Sequence, residues 1–61
     1  MTKFNPANAE HVQIATEAAI SAWFNVAGIS LAIREALDDE GIVATEQAYS
    51  MGLAALREFN K

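Results

Sequence analysis

His11 is the one imidazole in this 61-residue chain, and it directly follows Glu10. A zinc or general-base site on a helix would need a second His, Cys or Asp three or four residues away. No such residue stands there, and the chain has no cysteine. His11 is therefore expected on an exposed helix surface, with neither a metal nor a catalytic role. No Ser-His-acid set falls where one small helix pair would assemble it. Gly28, Gly41 and Gly52 are isolated, so no glycine-rich loop cradles a phosphate. The expectation is a protein that is not an enzyme and carries no cofactor.

The carboxylates are the other group with chemistry to offer. Glu35, Asp38, Asp39, Glu40 and Glu46 gather around one interhelical turn. The alternating ligands and central glycine of an EF-hand are missing, which argues against a calcium loop. Three of these acids fall near the negative dipole end of the preceding helix, where acids are mildly destabilising. Such a cluster is suited to engage Arg or Lys on a partner protein. The plainer reading is a solvated turn that keeps an apolar oligomer soluble.

Overall charge points the same way. Lys3, Arg34, Arg57 and Lys61 are scattered against eight acids, for a net charge of −4. No basic stripe exists to neutralise a run of phosphates, so direct DNA binding is not expected, and a protein partner with a basic surface is. Arg34 is placed to pair with Asp38, and Arg57 and Lys61 to support the end of the last helix.

The elements that position these residues are helical. Met1 to Phe4 reads as a loose tail. Asn5-Pro6 reads as a helix opening, with Asn8 as an alternative cap. From there to Glu40 the chain is rich in Ala, Glu, Ile and Leu with no internal proline, which favours helix. Val12, Ala15, Ala19, Ala22, Val26, Ile29, Ile33 and Ala36 alternate spacings of three and four, the pattern of a helix seam. A second apolar row, Ile20, Phe24, Ala27 and Leu31, lies on another side, with Trp23 between the rows. Gly41 suits a left-handed cap, with Leu37 and Ile42 set for the contact that accompanies it. Thr45 is expected to cap a second helix whose inner face is Ala48, Gly52, Ala55 and Phe59, widened by Tyr49, Leu53 and Leu56. Gly52 in mid-helix costs about 1 kcal/mol relative to Ala, which a close helix crossing would explain.

The expected fold is all-α and a single domain over 1–61: helix 1 over about 6–40, a turn at 41–44 and a shorter antiparallel helix 2 over about 45–60. Helix 1 would approach about 50 Å and helix 2 about 22 Å, so the hairpin leaves half of helix 1 bare. A second copy, the N-terminal segment folding back, or a partner must cover it. A homodimeric helical bundle is the simplest closed solution. The structural alternative is three short helices, because β-branched residues and Gly28 weaken the helix across Phe24 to Ile33. Core and dimer seam are assigned to Val12, Ala19, Ala22, Trp23, Val26, Ile29, Ile33, Leu37, Tyr49, Gly52, Leu56 and Phe59. Partner binding is assigned to Ile20, Phe24, Leu31, Glu35, Asp38, Asp39 and Glu40. Trp23 and Phe24 are adjacent and point about 100° apart on a helix, so one can face the seam while the other meets a partner.

Ala18 to Ile33 carries no charge but is shorter than the roughly 20 residues a spanning helix needs. No secretory signal order is visible at the N-terminus, and a cytoplasmic protein is expected. The functional expectation is a small acidic dimer that binds and regulates or inhibits another protein, possible targets including a DNA-binding regulator. Short acidic chains without motifs are common among phage and mobile-element accessory genes that act this way. A dimer of helical hairpins of this size is similar to the Rop protein in architecture alone. That likeness implies an alternative, an RNA-binding adaptor using Arg34 and Arg57. A short membrane-active peptide is the third reading.

Overall fold

Helix formation starts at Asn8, not at Asn5. The Asn8 side chain, on an extended backbone, accepts from the Glu10 and His11 N–H groups at 3.0 and 3.3 Å, satisfying two donors that the first turn leaves without intrahelical partners. Asn5 and Pro6 form a turn ahead of it. The Asn5 carboxamide oxygen accepts from Ala7 N–H at 3.0 Å, and its carbonyl accepts from Asn8 N–H at 2.9 Å.

The computed structural model describes residues 2–60, in the order β1 (Thr2–Lys3), α1 (Ala9–Ser21), α2 (Ile29–Asp39), β2 (Ile42–Val43) and α3 (Glu46–Phe59). The molecule is mostly helical, with three helices packed against one another. The single helix expected over 6–40 is thus two helices. Trp23 N–H reaches back to the Ile20 carbonyl and Asn25 N–H to that of Ala22, the tight i to i−3 bonds that end a helix. Asn25 then leaves the helical region at φ −133°, ψ 84°, and a short 3₁₀ turn, Val26–Gly28, leads into α2. The physical reason is burial. A straight helix would leave Ala15 and Ala19 bare of any cover from Ile29 and Ile33, whereas reversal at Ala22–Gly28 brings all four into one core, each buried.

Helix α2 ends where Gly41 takes φ 72° and its N–H bonds the Asp38 carbonyl at 3.0 Å, with Leu37 and Ile42 both buried beside the cap. The connection beyond it is extended. Thr2–Lys3 pairs with Ile42–Val43 in parallel, and Phe4 N–H donates to the Val43 carbonyl at 2.9 Å. The N-terminal segment is therefore a strap and not the loose tail expected, since Phe4 is only 5% exposed and belongs to the core. Met1 lies outside the described residues. The strap pairs with the Gly41–Val43 backbone, its Thr2 and Phe4 N–H groups donating to the Gly41 and Val43 carbonyls.

Thr45 precedes α3 at the N-cap position with an extended backbone, but its hydroxyl makes no capping bond and is buried without a partner. Midway along α3, Gly52 crosses the other two helices. A Cβ there would come within 2.6 Å of Ile33 Cδ1 and 3.3 Å of both the Ala15 carbonyl oxygen and Ala19 Cβ. A side chain there would displace the tip of Ile33 and press on the Ala15 carbonyl and Ala19 Cβ. Because β1 and β2 pair side by side, the starts of α1 and α3 and the end of α2 gather at the ribbon end. The connection Ala22–Gly28 lies at the far end of α2 from the ribbon.

Candidate functional site

The far end is built by residues the core cannot take in. Helix α1 presents His11, Ala15 and Ala19 inward, and α2 presents Ile29, Ile33 and Leu37. The connection between them must turn within seven residues, and it holds its bulky side chains outward. Trp23 is 56% exposed, Phe24 74% and Val26 77%, with Leu31 in the first turn of α2 at 56% and Phe59 at the last residue of α3 at 59%. The Trp23 and Phe24 rings pack on each other edge-to-face with centroids 6.4 Å apart. Their contact gives the patch a defined shape.

The ribbon end is charged instead. Asp38, Asp39 and Glu40 sit at the close of α2 and Glu46 opens α3, all exposed. Arg34 approaches Asp38 at 3.9 Å, both side chains being half or more exposed, so the pair contributes less than about 0.5 kcal/mol. Asp39 and Glu40 have no cationic partner among the described residues. They line a shallow groove between α1 and α2 together with Ile14, Glu17, Ala18, Ala36 and Ser21, the last residue of α1. Glu17 is held there by the Gln13 side chain, which donates to it at 2.9 Å.

His11 is placed differently from its expected exposure. The ring is 8% exposed and lies 6.1 Å from that of Phe4, and its Nδ1 accepts the Asn5 N–H at 3.0 Å. A ring whose Nδ1 accepts carries its proton on Nε2. Among the described residues no group of three His, Asp or Glu side chains could hold a metal ion. The histidine fastens the strap to α1. Its sequence signal was only the turn-forming Asn5-Pro6 between Phe4 and the helix, which does not say that the chain folds back.

Of the residues assigned to partner binding, Phe24 and Leu31 fall at the far end, Ile20 is half-buried on α1, and Asp38, Asp39 and Glu40 stand at the ribbon end. Glu35 lies between them on an exposed face of α2. Eight residues of helix, about 12 Å, separate Leu31 from Asp39. The groove that Asp39 and Glu40 line extends to Ser21, two residues before Trp23. Among the core and seam residues, Ala19, Ile29, Ile33, Leu37, Gly52 and Leu56 are buried, and Val12, Ala22 and Tyr49 are half-buried. Trp23, Val26 and Phe59 are on the surface of the chain. Lys61 lies outside the described residues. No described helix is long and apolar enough to cross a membrane. The chain matches no family model, no curated protein and no solved structure.

Proposed function

We propose that this protein is a small protein–protein interaction module, an acidic regulator or inhibitor that acts by binding and not by catalysis. The observation that carries this reading is the exposure of Trp23, Phe24 and Val26 on the connection between α1 and α2, beside exposed Asp39 and Glu40 that have no cationic partner among the described residues. Large exposed apolar patches on small proteins mark contact sites. Carboxylates around a helix C-terminus, where the dipole adds to their negative potential, favour a basic surface on the partner. In this reading the aromatic end completes the protein by self-association, and the acidic end meets a different protein, a DNA-binding regulator being one candidate.

The test is affinity capture from a bacterial lysate with the wild-type chain and an Asp39→Lys, Glu40→Lys double variant. The expected result is one stoichiometric protein, retained by the wild type, released by added salt and lost with the double variant. Capture of nothing, or equal capture by both forms, removes the reading. Retention of RNA, lost with Arg34→Ala or Arg57→Ala, transfers it to a nucleic-acid adaptor.

A further inference from the structure

We infer that the N-terminal strap is a pH-sensitive latch, in which one proton taken up from solvent at His11 Nδ1 releases Thr2 to Asn5 while the three helices stay folded. The inference goes beyond the proposed function and does not rest on it. Three observations carry it. The first is the hydrogen bond. Nδ1 of His11 accepts the Asn5 N–H at 3.0 Å, and among the described residues this is the one side-chain hydrogen bond that joins the strap to a helix. A neutral imidazole accepts at one nitrogen, whereas the protonated ring donates from both and accepts at neither. Protonation of Nδ1 and donation to it by Asn5 therefore exclude each other. In the closed strap the two N–H groups would face one another without an acceptor.

The second is burial. The ring is 8% exposed and packs beside Phe4, with centroids 6.1 Å apart. A positive charge there loses its water, which is unfavourable unless a partner replaces it. The charged and titratable groups that the surrounding elements carry at the ribbon end are Lys3 on the strap, Glu10 on α1, Asp38, Asp39 and Glu40 at the close of α2, and Glu46 and Tyr49 in the first turn of α3. Among the described residues, no ion pair or hydrogen bond joins any of them to the ring. Opening the strap returns the charged ring to water. The third is the slightness of the remaining attachment. β1 is two residues long, and a two-stranded ribbon of that length is a weak hold on its own. The turn at Asn5 and Pro6 separates the strap from α1, whose cap at Asn8 involves no strap residue. Ile29, Ile33 and Leu37, the largest fully buried side chains, all belong to α2, so the strap can leave without unwinding a helix. The latch is closed where the imidazole is neutral and opens as the pH falls through the range in which imidazoles ordinarily charge, about 6.5 and below. Release bares the Gly41 and Val43 carbonyls and the seat of Phe4.

The experiment is amide hydrogen exchange by nuclear magnetic resonance on the full chain, from about pH 7.5 to about pH 5. Rates are corrected for the intrinsic pH dependence of exchange, and the His11 ring resonances are followed in the same samples. The expected result is that protection of the Phe4 and Asn5 amides falls about tenfold or more as the ring charges, the factor that one lost buried hydrogen bond corresponds to. Amides in the middle of α3 keep their protection. His11→Asn, whose carboxamide oxygen accepts without taking up a proton in this range, is expected to hold its Phe4 and Asn5 protection unchanged across it. A ring that charges while the Phe4 and Asn5 amides stay as protected as before overturns the inference, as does a ring that stays neutral down to about pH 5. The same loss in His11→Asn overturns it in favour of the carboxylates, and an equal loss in α3 makes His11 part of the fold and not of a latch. Where His11→Asn fails to fold, the wild type decides: a loss of protection that tracks the ring's titration supports the latch, and one displaced from it by about a pH unit or more overturns it.

Discussion

Phe4 and Phe24 are the same residue in opposite circumstances. Phe4 lies ahead of the start of α1 at Ala9, yet the strap folds it into the core beside His11. Phe24 sits in the middle of the most apolar stretch of the chain and stays in solvent. The ribbon end is closed: strap, cap and helix starts satisfy one another through backbone and side-chain hydrogen bonds. The far end is left open, because the reversal from α1 to α2 occupies the residues whose side chains would otherwise have packed. Apolar character alone does not decide burial. What decides it is whether the backbone at that point is free to bring the side chain inward.

Substitutions test the two ends against each other. Phe4→Ala is expected to cost about 3 kcal/mol, and Phe24→Ala less than about 0.5 kcal/mol when measured on dilute protein, both by urea denaturation. Equal losses at the two sites would erase the distinction between a closed and an open end. A smaller effect is expected at the fastening of the strap. His11→Leu fills the volume but offers Asn5 N–H no acceptor, which costs about 1–2 kcal/mol. His11→Asn, which places an oxygen near the Nδ1 position, recovers part of it. A His11→Leu protein as stable as the wild type would show that packing on Phe4, and not the hydrogen bond, holds the strap. Asn8→Ala is expected to cost about 1 kcal/mol, read as a lower thermal midpoint with the fluorescence of Trp23 unchanged.

Much of the helical architecture is legible in the residues. Gly41 marks its stop through positive φ, and Gly52 marks a close crossing that Ile33, Ala15 and Ala19 do make. The reversal at Ala22–Gly28 is hidden from periodicity for a simple reason. Ala22 and Ile29 are seven residues apart, two helical turns, so the seam stays in phase whether the chain runs straight or doubles back on itself. Propensity across Phe24 to Ile33 is the signal that favours the break. The strap is less visible still, because two residues of ribbon carry no period, and a histidine that accepts one backbone N–H has the same neighbours in sequence as one in solvent. The acidic cluster can be read directly. Its neighbours across the groove, Ile14, Glu17 and Ser21 of α1, follow only once the helices are placed.

The strand pair also constrains how the molecule comes together in time. Thr2 pairs with Ile42 far along the chain, so this contact closes a long loop and carries a larger closure entropy than the contacts within each helix. The helices are expected to form from local contacts first and the strap to dock late. Opening in the native state is expected in the reverse order, with the Phe4 amide exchanging its hydrogen before those in the middle of α3.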